Sequence, residues 1–310
     1  MINSKFHGVV VPMITPVKPS QKEGSASSVM TIDTESVEKI IESFAQSGVH
    51  PLLMGTTGEG NSVSPEDAVT LVRTAAKTAA GRITVYAGLT GTCYEQQLSQ
   101  AEAFAEAGAD VIAATLPSYY ALTPKQMINY YSSLADSIKV PLMLYNITIT
   151  THMSITLEVI DTLSHHPNIV GLKDSENNLE RLEKCIAMVK DRDDFAYFCG
   201  CAANSARALQ LGADGIVPST ANFVPNMYQR LFEAGVKGDM ETAQKLQSET
   251  DAIGNSYQTG RILGEQLAAL KVVMTARGFC QPYMLMPLTR LTEEEEKQIV
   301  EVTKDFKDIE

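Results

Sequence analysis

A lysine closes an apolar run in the stretch PNIVGLKDSENN, residues 167–178, where Ile169, Val170, Gly171 and Leu172 lead straight into Lys173 and Asp174. An ammonium at the end of a buried strand loses hydration unless it is paired, so burial there favours the neutral amine. A neutral amine is a nucleophile toward a carbonyl carbon, and the product is an imine. The competing reading is an ion pair with Asp174 or Glu176. Alternation along a strand sends Asp174 to the face opposite Lys173.

Tyr145 ends another apolar run, PLMLYN at 141–146. Neighbouring strands lie about 5 Å apart, so its phenol can share space with the amine if the two runs pair. Imine chemistry moves protons at several steps, and a tyrosine can relay them. A satisfied core tyrosine is the plain alternative. The turn GTTGE, residues 55–59, adds two hydroxyls between glycines. At a strand-to-helix turn, the N–H groups and hydroxyls of Gly55, Thr56 and Thr57 make an uncharged cradle that fits a carboxylate. The turn lacks the length and the lysine of a phosphate loop, which argues against ATP.

These residues need a scaffold that gathers strand ends. Eight apolar runs supply one: residues 8–17, 51–55, 84–88, 111–116, 141–146, 169–175, 195–200 and 215–219. Their near-continuous apolar character suits strands covered on both faces. Amphipathic stretches of helical length lie between them, at 34–48, 64–81, 94–109 and 123–138 and in units around 154–164, 178–190, 203–211 and 222–235. Ser64 before Pro65 and Thr123 before Pro124 read as helix starts, and Gly48 and Gly108 as stops. The alternation predicts an α/β fold, a (β/α)8 TIM barrel over residues 1–236, with a C-terminal helical extension over 237–310. A doubly wound open sheet is the competing arrangement. The polar segment 18–31 reads as an exposed loop without regular structure. In such a barrel the site lies at the C-terminal strand ends, which hold Gly55, Thr56, Thr57, Tyr119, Tyr120, Tyr145, Lys173, Gly200 and Val217.

The formal net charge of −12 argues against nucleic acid and anionic membranes as partners. Five cysteines at irregular spacing read as reduced thiols, and Cys199-Gly-Cys201 is too close and isolated for zinc. No metal site is expected. The N-terminus carries no signal pattern and no apolar run approaches the length of a membrane span, so a soluble, cytoplasmic protein is expected.

Taken together and in order, GTTGE, YN, GLKDS and GADGIVPSTAN (212–222) resemble the dihydrodipicolinate synthase / N-acetylneuraminate lyase family of class I aldolases. The resemblance runs from GVVVPMITP at 8–16 through the C-terminal helices. It implies a Schiff base between Lys173 and a 2-keto acid, usually pyruvate, with no other cofactor, and proton transfer through Tyr145. It implies that Thr56 and Thr57 bind the keto-acid carboxylate and that Thr57 also bridges to Tyr145. It implies that Tyr120 completes a neighbouring subunit's relay in a homotetramer, a dimer of dimers, and that Gly200 and Val217 line the pocket through backbone groups.

Departures bear on the second substrate. Thr148 stands where the family often has proline. Thr150 stands where dihydrodipicolinate synthases have an arginine for the aldehyde's carboxylate, a charge-assisted contact that is lost here. After Gly200, Cys201, Ala202 and Ala203 replace the acidic residues of sialic acid lyases. What remains is similar to the branch acting on 2-keto-3-deoxy sugar acids, with Thr148, Thr150, Thr151 and His152 facing a polyol acceptor. The expected function is therefore a lyase that cleaves or condenses a 2-keto-(3-deoxy) acid through Lys173, its partners being a small 2-keto acid and an aldehyde. True 4-hydroxy-tetrahydrodipicolinate synthase activity and a non-catalytic keto-acid-binding barrel are the alternatives.

Overall fold

A computed structural model describes residues 6–21 and 29–309. In chain order the elements are β1 (Gly8–Pro12), β2 (Val17–Pro19), β3 (Met30–Ile32), α1 (Thr34–Ser47), β4 (His50–Leu53), α2 (Pro65–Ala79), β5 (Tyr86–Leu89), α3 (Tyr94–Ala107) and β6 (Val111–Thr115). Then come α4 (Pro124–Ser137), β7 (Leu142–Asn146), α5 (Thr148–Thr151), α6 (Leu157–Ser164), β8 (Ile169–Asp174), α7 (Leu179–Val189), β9 (Ala196–Cys199), α8 (Ser205–Leu211) and β10 (Gly215–Ile216). The chain ends with α9 (Pro225–Lys237), α10 (Met240–Gln258), α11 (Leu263–Ala276) and α12 (Glu293–Thr303).

Eight strands close a barrel in the order β1-β10-β9-β8-β7-β6-β5-β4, all pairs parallel. This is the closed (β/α)8 arrangement and not the open sheet, and α10 to α12 follow it as the C-terminal helical extension. The expected first strand is shorter than read from sequence. It stops at Pro12, and residues 17–19 pair antiparallel with 30–32 in a separate two-stranded sheet. Segment 18–31 is therefore not a loop throughout. Thr31 Oγ1 donates to Asp67 on α2 at 2.7 Å, which ties the small sheet to the barrel wall. Residues 22–28 of that segment lie outside the described residues.

Local chemistry sets the helix ends as expected. Ser64 accepts from Asp67 N at the start of α2, and Thr123 and Gln126 cap each other at α4. Gly108 ends α3 in the left-handed region, φ 102°, and a Cβ there would stand 2.8 Å from the Ala76 methyl of α2.

Alternation divides the core into two layers. Val10, Leu52, Tyr86, Val111, Ala113, Met143, Ala196, Phe198 and Val217 fill the barrel, while Val9, Val11, Leu142, Leu144 and Leu172 face the helices. The β7–β8 register carries the consequence for the site. It skips one residue, so that Leu142 faces Ile169 but Met143 faces Gly171, and it is regular from there on. A slip of one residue exchanges the faces of a strand. After this irregularity Tyr145 stands beside Lys173, and both continue the inward side.

Candidate active site

Lys173 is 3% exposed, and its Nζ stands 3.8 Å from the centroid of the Tyr145 ring. The buried ion pairs among the described residues belong to Arg181 and Lys271, not to Lys173. The two carboxylates that competed for Lys173 are engaged elsewhere. Asp174 faces outward, as alternation requires, and accepts from Arg181 Nε at 2.6 Å and Asn146 Nδ2 at 2.8 Å. Glu176 accepts from Asn146 at 2.7 Å and from the Ser154 hydroxyl. The amine is left facing the barrel axis, and the acids hold the strand ends from behind.

No thiol competes as nucleophile. Burial pushes Cys185 and Cys199 up to about 12, and burial raises Cys201 as well. The thiolate, not the thiol, is the reactive form, so these cysteines are inert near neutral pH.

The turn after β4 is closed by its own backbone. Glu59 N donates to Thr56 O at 3.1 Å and Gly60 N to Gly55 O at 3.1 Å, and Thr15 Oγ1 donates to Gly58 O. A Cβ on Gly60 would stand 2.0 Å from Met54 O, so the crossing of the turn admits glycine alone. Gly55 and Thr57 are buried within it. The bridge to the phenol differs from expectation: Thr56 Oγ1, not Thr57, lies 3.3 Å from Tyr145 Oη. Met54 and Glu59, flanking the turn at φ 57° and 53°, reverse the chain and decide which threonine faces the barrel.

Gly200 lies against the end of β8, where a Cβ would meet Ser175 Oγ at 2.3 Å. Its N–H donates to Asp174 O at 2.7 Å, and Val217 N–H to Cys199 O at 2.8 Å. Both N–H groups are thus used within the barrel, which leaves their carbonyls as the backbone groups with which they can line a pocket. Tyr120 is 71% exposed and meets Tyr119 edge-on at 4.9 Å. Among the described residues of this chain no hydrogen bond joins it to Tyr145 or Thr56.

A cavity of about 310 Å³ opens beside Thr56. Thr56, Thr90, Thr115 and Thr150 give it a hydroxyl face, and Leu263, Leu267 and Leu288 an apolar one. None of its lining residues is lysine or arginine. Thr150 is in place, but Thr151 is not: its hydroxyl is turned to Ile147 O and Met153 O, at 2.9 and 3.1 Å. His152 is exposed. Sequence reasoning missed Thr115, although the register signals it, since Thr115 pairs with Tyr145 at the end of an apolar strand. The three leucines, from α11 and the segment after it, had no sequence signal.

The comparisons with known proteins agree with this geometry. The sequence pattern of the Dihydrodipicolinate synthetase family matches residues 5–306. The 4-hydroxy-tetrahydrodipicolinate synthase of Halorhodospira halophila is 27% identical over 97% of each chain. Among solved structures, the dihydrodipicolinate synthase of Bacteroides thetaiotaomicron superposes with a TM-score of 0.90 at 27% identity, over 98% of this chain and 100% of that one. YagE of E. coli, a prophage protein of the same family solved in complex with pyruvate, gives a TM-score of 0.87 at 25% identity, over 97% and 98% of the two chains.

Proposed function

Because the chain belongs to the dihydrodipicolinate synthetase family and is a lyase, we propose that Lys173 forms an imine with pyruvate or a related 2-keto acid and so makes or breaks a C–C bond. The observation that carries this is a buried amine, unpaired with any carboxylate among the described residues, packed on the phenol that Thr56 touches. Nζ adds to C2 of the keto acid, and the carbinolamine loses water to give C2=N. In the cleavage direction the C3–C4 bond breaks, its electron pair passes into C2=N as an enamine, and the aldehyde departs. Tyr145 carries the protons of these steps, with Thr56 as the adjoining hydroxyl of the relay. Gly55, Thr56 and Thr57 cradle the carboxylate. The imine itself takes up the electron pair, so no further cofactor is part of the scheme. YagE, with pyruvate in its solved complex, supports the choice of pyruvate.

Incubation with pyruvate followed by borohydride tests the scheme. The expected product is protein heavier by one reduced pyruvyl group, mapped to Lys173. Folded protein that takes up no label would remove the imine.

The second substrate of this proposal is a neutral, hydroxylated aldehyde, which makes the full substrate a 2-keto-3-deoxy acid. The cavity has Thr150 in its wall, Glu59 as its one charged lining residue and no lysine or arginine, which supports that class over an anionic aldehyde. Thr150→Arg supplies a cation at this wall. It is expected to raise kcat/KM for a carboxylate-bearing aldehyde about tenfold or more. Unchanged kinetics on that aldehyde would show that Thr150 does not face it.

Tyr119 and Tyr120, 77% and 71% exposed on the barrel rim, support an assembly in which Tyr120 enters a neighbour's site. A homotetramer, a dimer of dimers in the cytoplasm, is the form proposed. No helix among the described residues is long and apolar enough to cross a membrane.

A further inference from the structure

The turn that carries Thr56 and Thr57 ends in Glu59, whose side chain is fully buried. Its Oε1 stands 2.6 Å from Lys271 Nζ in the middle of α11, and the Lys271 side chain is 1% exposed. The contact is ionic and lacks hydrogen-bond angles, so Oε1 has no partner other than that ammonium. Oε2 accepts from Leu285 N at 2.8 Å, and Lys271 Nζ donates to Tyr283 O at 2.7 Å. The pair therefore joins three points: the turn after β4, α11, and the irregular segment that follows α11.

Two observations separate this pair from ordinary packing. Two charges removed from water stabilise a fold no better than a well-packed apolar pair does. What a charged pair supplies instead is one allowed geometry. Glu59 also holds a left-handed backbone, φ 53°, which is disfavoured for a residue with a Cβ and persists where the surroundings fix it. The turn is short: Glu59 N is bonded to Thr56 O, and Thr56 Oγ1 touches Tyr145 Oη. A shift of Glu59 thus reaches the phenol through two hydrogen bonds, by way of Thr56.

We infer that Glu59 and Lys271 are positioning residues, a strut by which the C-terminal helices hold Thr56 and Thr57 in register with Tyr145 and Lys173. The inference rests on the proposed imine chemistry for its readout. It makes α11 part of the active site, although no residue of α11 touches the reacting atoms.

The test compares Lys271→Met, Glu59→Gln and the double variant with the unaltered protein, using pyruvate and borohydride. Lys271→Met leaves Glu59 charged and alone. It is expected to raise the pyruvate concentration for half-maximal labelling about tenfold or more, with the label still on Lys173. The double variant leaves no buried charge unpaired. Its thermal midpoint is expected to recover while its pyruvate dependence does not. A pair that served stability alone would recover both, and that result overturns the inference. So does any folded variant of the pair that labels with unaltered pyruvate dependence. Should Lys271→Met fail to fold, Lys271→Arg keeps the charge, displaces it, and carries the same readout. If the unaltered protein takes no label, the imine scheme falls by itself. The strut is then judged by amide hydrogen exchange of residues 55–60 in the folded variant, where protection equal to the unaltered protein overturns it.

Discussion

Lys173→Ala is expected to abolish turnover, lowering kcat by about four orders of magnitude or more, and to leave the protein folded. Both halves of that expectation come from the same geometry. In the proposed scheme the amine is the group that bonds to substrate, and the thiols of Cys185 and Cys199 are held protonated by burial. The fold survives because the deletion strands no partner. Asp174 and Glu176 keep Arg181 and Asn146, and Tyr145 loses only a neighbour on its ring face. Steady-state assay on a 2-keto-3-deoxy acid, circular dichroism and borohydride trapping read the three parts. Residual activity within about tenfold of the unaltered enzyme would show that Lys173 does not carry the covalent step.

Arg181→Met is expected to cost about 3–5 kcal/mol of stability. Burial opposes the charge on Arg181, yet Asp174 and its neighbours outweigh that, and the guanidinium pKa is raised. Removal leaves Asp174, 2% exposed, with Asn146, the Glu176 amide and the Cys185 thiol at 4.0 Å as its hydrogen-bond donors. The damage reaches the chemistry as well, because Asp174 follows Lys173 directly and Asn146 follows Tyr145. Activity per folded molecule should therefore fall together with the urea midpoint. Adding Asp174→Asn to Arg181→Met removes the stranded charge and should restore part of the stability. A single variant within about 1 kcal/mol of the unaltered protein would show that the pair is not holding these strand ends.

The barrel was legible because its strands are apolar runs bounded by capped helices, and period-2 alternation then fixed which way each end residue faces. The outward Asp174 follows from that rule, whereas the meeting of Lys173 with Tyr145 also depends on the register irregularity between β7 and β8, which no period shows. The rule fails in the GTTGE turn, where two left-handed residues, Met54 and Glu59, replace any regular period. Sequence does not distinguish Thr56 from Thr57 there, and it is Thr56, not Thr57, that meets Tyr145. Arg181 and Lys271 were invisible for another reason. Each is buried against a carboxylate on another element, Asp174 and Glu59, that the helix pattern does not encode. The 17–32 pairing escaped because its strands are three residues each, too short for composition to show.

The cavity beside Thr56 is assembled from parts of the sequence far apart: threonines at the C-terminal strand ends of the barrel and the segments that follow them, and leucines from residue 263 onward. The groups assigned to the keto acid all precede residue 218. If that cavity takes the aldehyde, as proposed, a substitution at Leu288, which lies outside α11, is expected to change which aldehyde is accepted with the least effect on the proposed imine chemistry.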